Sequence, residues 1–307
     1  MERYSPDQME LDARDVVARA IAREVSEGRG TENGGVYLDI SHRDRSFLEE
    51  RLPRMVERFD ELGVDMAEQP VEVAPTAHYG MGGVVVDEHG ETDVRNLYAI
   101  GETMAGVHGA NRLGGNSLAE TVAFGKVTGA AVADRLADGP GADADTVDRL
   151  AGQSLADTMA VANSDGTHDP VALFAELRAV LWDHAGLLRE ESSLQTGLER
   201  VASIRDRAAD VAVGGPTSES FEFAMNLGFA LDVAEAILRG ARKRTESRGA
   251  HARTDATETD PSWRRNIVVE RDSVGGMALS TRPVDDPSSE VQQALDAGYE
   301  LDYHQLE

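Results

Sequence analysis

Apolar residues recur every three or four positions at Val16, Val17, Ala20, Ile21 and Val25, the spacing of a helix with one buried face. The pattern stops at Gly28-Arg29-Gly30, where glycine suits a helix end. Val36-Tyr37-Leu38-Asp39-Ile40 has the texture of a short strand. A second helical pattern runs through Phe47, Leu48, Leu52, Met55, Val56 and Phe59 to Gly63. Beyond Pro70, Val84-Val85-Val86, a turn at Asp87-Glu88-His89-Gly90, and Leu97-Tyr98-Ala99-Ile100 predict strands leading into a glycine-rich loop. A helix is expected from Ser117 to Leu136, with Ser117 and Glu120 spaced as a capping box. Residues 137–152, rich in Gly, Asp and Ala with Pro140, read as a linker. Three helical stripes follow, through Val171, Phe174, Leu177, Leu181 and Leu188, then Leu194, Leu198, Val201, Ile204 and Ala208, then Leu227, Leu231, Ala234, Leu238 and Ala241. They predict an antiparallel bundle. From Ser247 onward the chain is polar and irregular, with Trp263 and Ile267-Val268-Val269 as anchors of a small terminal lobe.

Composition narrows the function classes. At 307 residues and 41% hydrophobic, the chain can bury more than one core. Asp and Glu number 56 against 30 Lys and Arg, a formal charge of -26, which repels nucleic-acid backbones and anionic lipid surfaces. Cysteine is absent, so neither disulfides nor cysteine-ligated clusters form within this chain. No run of 18 apolar residues and no signal-peptide pattern occurs, and a soluble, cytoplasmic chain without direct membrane insertion is expected. No tight carboxylate spacing marks a metal site. Lys126 and Lys243 are the only lysines, and arginine with a dense acidic surface reads as adaptation to a high-salt cytoplasm, where salt screens carboxylate repulsion.

The residues richest in chemistry are Thr76-Ala77-His78-Tyr79-Gly80-Met81-Gly82-Gly83, Gly101-Glu102, and the run His108-Gly109-Ala110-Asn111-Arg112-Leu113-Gly114-Gly115-Asn116-Ser117-Leu118. Dense glycine lets backbone approach a flat ligand, and a helix start offers free N–H groups to negative charge. Arg112 can grip a carboxylate through two parallel hydrogen bonds, and His78 can donate to another.

These stretches resemble the flavoprotein subunits of succinate dehydrogenase and fumarate reductase, whose relatives include L-aspartate oxidase. Met1-Glu2-Arg3-Tyr4 with Arg14-Asp15-Val16-Val17, Tyr37-Leu38-Asp39-Ile40-Ser41 and Glu246-Ser247-Arg248-Gly249-Ala250-His251 carry the same resemblance in the same order. It implies FAD as cofactor and a dicarboxylate substrate, succinate or fumarate. His78 and Arg112 match substrate-binding positions, and Arg14 matches the proton-transferring arginine. Glu102, Ser117 and Leu118 match flavin-binding positions. The implied reaction moves a hydride between succinate and flavin while Arg14 handles the proton, and electrons pass to an iron–sulfur subunit. Membrane anchor subunits then hold the assembly on the inner membrane face. A guanidinium ordinarily stays protonated, so Arg14 serves more easily as acid, in fumarate reduction, than as base.

The resemblance implies an α+β chain: residues 1–75 the remainder of a capping domain, 76–137 the last segment of a flavin-binding α/β domain, 138–152 a linker, 153–246 a three-helix bundle and 247–307 a small C-terminal domain. No Gly-x-Gly-x-x-Gly occurs, so the family's dinucleotide-binding βαβ unit is expected upstream of Met1, and a truncated flavoprotein is expected. The loop Thr103-Met104-Ala105-Gly106 is one residue shorter than in many members. Two competing readings are an L-aspartate oxidase and a non-catalytic fragment that folds and binds a partner subunit. Leu113-Gly114-Gly115, Ala250-His251-Ala252-Arg253 and Trp263 favour the dehydrogenase branch. His251, Arg248 and Arg253 are pocket or interface candidates.

Overall fold

The first apolar stripe folds as helix α1 (Arg14–Ser26), burying Ala20, and the chain leaves it through Gly28 at φ +76°. The computed structural model describes residues 1–137, 139 and 143–297. Strand β1 (Val36–Leu38) pairs antiparallel with β2 (Val71–Val73), Val36 opposite Val73. Between them, α2 (Arg45–Arg51) and α3 (Pro53–Glu61) press Leu48 and Val56 onto Met66 and Val71 in a small core. The single helix expected through Phe59 is therefore two. Pro53 has no N–H to continue the first helix and disfavours helical geometry at Leu52, which sits at φ -133°, ψ 44°.

The strands expected at 84–86 and 97–100 reduce to single bridges, Val84 with Met104 and Glu91 with Tyr98. A strand needs a ladder, and among the described residues none extends these two. Helix α4 (Asn116–Ala137) begins one residue before Ser117, and the expected capping box does not form. The Ser117 carbonyl accepts from the Thr121 hydroxyl at 2.5 Å, while the Glu120 side chain turns inward to Tyr79.

Of the expected linker, residues 138 and 140–142 lie outside the described residues, and most of the remainder is helical. The Asp143 carboxylate caps Thr146 N–H, opening α5 (Ala144–Ala162). An alanine- and aspartate-rich stretch resembles a spacer, yet alanine is the strongest helix former and aspartate a favoured N-cap.

The three later stripes become α6 (Pro170–Ala185), α7 (Glu191–Ala208) and α8 (Glu219–Lys243), which pack pairwise. Their shared core contains Leu173, Leu177, Val180, Leu194, Val201, Ile204, Leu227, Leu231 and Leu238. Gly197 lets α7 approach: a Cβ there would lie 2.8 Å from Leu238 and 2.9 Å from His184. Helix α5 packs against α8 as well. After a loop-rich knot at 246–260, β3 (Arg265–Arg271) and β4 (Met277–Pro283) form an antiparallel hairpin, followed by α9 (Ser289–Asp296). Ile267, Val268 and Val269 thus anchor a hairpin in a segment whose sequence reads as irregular; residues 298–307 of the expected terminal domain lie outside the described residues. The fold is α+β, and among the described residues no helix is long and apolar enough to cross a membrane.

Candidate functional site

Backbone-to-backbone packing assembles the site. The Val84 N–H donates to the Thr103 carbonyl at 2.8 Å, and Ala105 N–H returns a bond to the Val84 carbonyl at 2.9 Å. Gly83 makes this approach possible, since a Cβ there would stand 2.3 Å from the Thr103 oxygen. The same docking brings Glu102 under the His78 segment, where its Oε1 accepts from Gly80 N–H at 2.7 Å.

Beside this seam lies a buried polar cluster. The Tyr79 hydroxyl donates to Glu120 Oε2 at 2.9 Å and lies 3.2 Å from His108 Nε2. The Tyr79 and His108 rings meet edge to face at 5.1 Å. The Arg112 guanidinium lies over the Tyr79 ring, 4.9 Å from its centre, and Nη1 donates to the Leu113 carbonyl at 3.2 Å. Arg112 Nε, His108 Nδ1 and Glu120 Oε1 are buried without a hydrogen-bond partner. Burial and then the Glu120 carboxylate push the Tyr79 phenol pKa up, so the hydroxyl stays protonated as a donor.

His78 is exposed and makes no hydrogen bond or ion pair among the described residues, but its neighbour Tyr79 carries Arg112. Next to Arg112, Gly114 and Gly115 face open space, and Leu118 in the first turn of α4 is 76% exposed. His78, Glu102, Arg112, Ser117 and Leu118 therefore belong to one neighbourhood. Arg14 lies apart, exposed in the first turn of α1 with no hydrogen bond or ion pair among the described residues. One turn further along, Arg19 pairs with Asp15 at 2.7 Å and donates to the Gly249 carbonyl at 3.2 Å. Ala250 N–H in turn donates to the Ala110 carbonyl at 3.0 Å. The turn at 248–251 thus joins the helix of Arg14 to the loop of Arg112.

That turn grows from a buried ionic knot. Glu246, 1% exposed, accepts from Arg244, from Arg248 through two nitrogens, and from Asp260 N–H. Burial opposes its charge, but Arg248, Asp260 N–H and Arg244 outweigh it and hold its pKa down at about 2. His251 Nδ1 accepts from Arg189 at 3.0 Å and Nε2 donates to the Arg244 carbonyl at 3.1 Å, which requires the neutral ring. Burial, then the charge of Arg189, lowers its pKa from 6.5 to about 4. His251 accordingly stabilises the fold fully above its unfolded pKa, and this contribution falls as pH drops through 6.5 toward 4. Between pH 8 and 5 the loss is on the order of 1 kcal/mol once solvent screening of this part-exposed ring is allowed for. Urea unfolding over this range is expected to show that slope, flattened in His251→Gln; an unchanged slope removes His251 from the account. Arg253, also buried, pairs with Asp255 at 2.6 Å.

The sequence reading missed Tyr79, His108 and Glu120 as a cluster. Tyr79 and His108 stand inside the motifs read from sequence, but Glu120 was absorbed by the capping-box pattern. An acidic residue three positions after a serine at an expected helix start is ordinarily a cap; here the helix starts at Asn116 and Glu120 is buried beyond its first turn.

A family model described as FAD binding domain matches residues 2–118, and another described as fumarate reductase flavoprotein C-term matches residues 174–295. The chain belongs to the succinate dehydrogenase and fumarate reductase flavoprotein family. It is 43% identical over 274 residues to a fumarate reductase (CoM/CoB) chain of Methanothermobacter marburgensis, covering 88% of this chain and 49% of that protein. Identity to an L-aspartate oxidase of Pseudomonas aeruginosa is 38% over 272 residues, covering 88% of this chain and 47% of the relative. A solved structure of a mutant E. coli quinol fumarate reductase is similar with a TM-score of 0.83 at 34% identity, covering 91% of this chain and 50% of that one. The chain spans about half the length of the curated relatives it matches. The cofactor implied by the flavoprotein family is FAD. The residues present suit a flat ring: Cβ atoms placed on Gly114 and Gly115 meet nothing within 4 Å, and the first turn of α4 lies alongside.

Proposed function

We propose that this chain supplies the carboxylate-clamping and flavin-facing part of a flavoprotein subunit that interconverts succinate and fumarate. The observation that carries the reading is the Arg112 guanidinium, fixed on Tyr79 with its Nε buried and unpaired. With Nε buried against the protein, a dicarboxylate oxygen reaches the guanidinium from its open side through Nη2, which no described residue engages, and the charge-assisted pair is strong where water is partly excluded. His78 donates to a substrate carboxylate, and Arg14 passes the proton to or from substrate carbon. When bound, FAD supplies the hydride acceptor and donor. Glu102, Ser117 and Leu118 line its place, and the α4 N-terminus favours negative charge there. Electrons leave for an iron–sulfur subunit, with membrane anchor subunits holding the assembly peripherally on the inner face of the membrane. In this proposal residues 1–75 close a capping domain, 76–137 finish the flavin domain, and 153–246 and 247–307 form the helical and terminal domains.

The test is a succinate and malonate titration of the chain in concentrated potassium chloride, matched to the high-salt adaptation its acidic excess supports, read from arginine side-chain NMR signals. Saturable shifts at Arg112 are expected, and Arg112→Ala is expected to weaken binding by about 10- to 100-fold, the worth of a charge-assisted bond. No response to either dicarboxylate overturns the reading. The Pseudomonas relative supports L-aspartate oxidase as the second reading; aspartate-dependent peroxide release by the FAD-supplemented chain would favour it. A parallel FAD titration by flavin fluorescence is expected to show weak binding, because the sequence contains no Gly-x-Gly-x-x-Gly. Tight stoichiometric binding would place enough of the cofactor site within these 307 residues.

A further inference from the structure

We infer that Tyr79 is a positioning residue for Arg112 and registers the carboxylate clamp against the N-terminal part of α4, at Glu120. The inference rests on the dicarboxylate reading above, but its own readout does not. Arg112 has one protein hydrogen bond among the described residues, to the carbonyl of its neighbour Leu113 at 3.2 Å. That bond leaves the long side chain rotatable, and a mobile guanidinium loses conformational entropy on every binding event. What holds it in place is the face of Tyr79, 4.9 Å from ring centre to guanidinium carbon, at the range of a cation–aromatic contact.

The ring is itself held from two sides. Its hydroxyl donates to Glu120 Oε2 at 2.9 Å and meets His108 Nε2 at 3.2 Å, and the His108 ring abuts it edge to face. Side chains of Glu120 and His108 are 3% and 5% exposed. Burying a carboxylate and an imidazole with unpaired atoms, Glu120 Oε1 and His108 Nδ1, is costly, and apolar groups of the same volume would pack at no such penalty. The polar trio instead fixes a direction. Glu120 belongs to α4, Tyr79 to the His78 segment and Arg112 to the glycine loop, so one chain of contacts sets the clamp relative to the helix start that faces the cofactor shelf.

The test uses the arginine Nε–H spectrum of the 15N-labelled chain, with the Arg112 signal assigned by Arg112→Lys. In the parent chain the Arg112 Hε is expected upfield from the ring current of Tyr79 and protected from exchange. Tyr79→Leu is expected to remove the upfield shift and to make exchange about ten-fold faster, the size a partly buried cation–aromatic contact supports. Tyr79→Phe keeps the ring and is expected to keep the shift, with faster exchange because the hydroxyl anchor is gone. Glu120→Gln retains an acceptor for the hydroxyl and is expected to stay near the parent chain. Tyr79→Leu is also expected to weaken malonate binding by about ten-fold, the same contact's worth, with Tyr79→Phe restoring part of it. An Arg112 signal that is neither shifted nor protected in the parent chain overturns the inference, as does one that Tyr79→Phe and Tyr79→Leu leave unchanged. If Tyr79→Leu unfolds the chain, Tyr79→Phe decides alone: unchanged exchange sinks the anchoring role. Absence of any malonate response with the Arg112 signature intact counts against the dicarboxylate reading and leaves the positioning role standing.

Discussion

Replacing Glu246 by alanine is expected to lower the unfolding free energy of the chain by about 3–5 kcal/mol, the cost of breaking a buried ion pair by removing one partner. The carboxylate is 1% exposed and receives Arg244 Nη1 at 2.6 Å, Arg248 Nε at 2.7 Å, Arg248 Nη2 at 3.0 Å and Asp260 N–H at 2.8 Å. Without it two guanidinium groups share a confined space with no anion between them. Arg244 also stacks on Trp263 at 5.2 Å and donates to the Trp263 and Arg265 carbonyls, so loosening it frees the start of the β3–β4 hairpin from the end of α8. Urea unfolding followed by circular dichroism reads the effect. Glu246→Gln keeps one acceptor but turns an amide toward the cations, and it should fall between parent and alanine variant. A loss below about 1 kcal/mol in Glu246→Ala, the range of an exposed pair, would mean that the knot is only a surface ion pair.

Gly249→Val is expected to damage both stability and the carboxylate clamp. Gly249 sits at φ +54°, a region β-branched residues avoid. A Cβ there would stand 2.3 Å from the Ala110 oxygen and 2.6 Å from its carbonyl carbon. Both obstacles are backbone, so no rotamer change relieves them, and either the turn or the Arg112 loop must move. The combined cost is about 2–4 kcal/mol from left-handed strain and overpacking. Because the turn also receives Arg19, dicarboxylate binding should weaken along with thermal stability. Gly249→Ala, with the same Cβ and less strain, should follow in the same direction at smaller size. A Gly249→Val chain with parent affinity and parent stability would show that the joint is slack.

Periodicity carried the helices well where the run is long, as in α6, α7 and α8, even though α8 also exposes Phe229, Val233 and Ile237. It failed where a backbone rule outweighed the pattern: Pro53 splits a stripe that is continuous in hydrophobicity. It failed again at 84–86 and 97–100, since β-rich residues specify a willingness to pair and not the presence of a partner strand. Helix α5 went unseen because alanine and aspartate serve linkers and helices alike. Motif resemblance singled out His78, Arg112, Glu102, Ser117 and Leu118, and the structure gathers them into one neighbourhood. It holds Arg14 apart from that group and links it through Arg19 and Gly249. The Tyr79–Glu120–His108 cluster was out of reach because its members lie 29 and 41 residues from Tyr79, and burial of a charged side chain has no local signature.

The joint at Gly249 also sets an order of events during synthesis. The bond from Arg19 spans 230 residues of chain, and the partners Ala110 and Ala250 lie far apart as well. At about 5–20 residues per second, the ribosome completes the Arg112 loop on the order of 10 s before the turn that braces it exists. The brace between α1 and the Arg112 loop is therefore added late to a loop whose Tyr79 and Glu120 contacts are made early. A chain halted just short of residue 249 would carry His78, Glu102, Arg112, Ser117 and Leu118 and still lack the brace that ties their loop to α1.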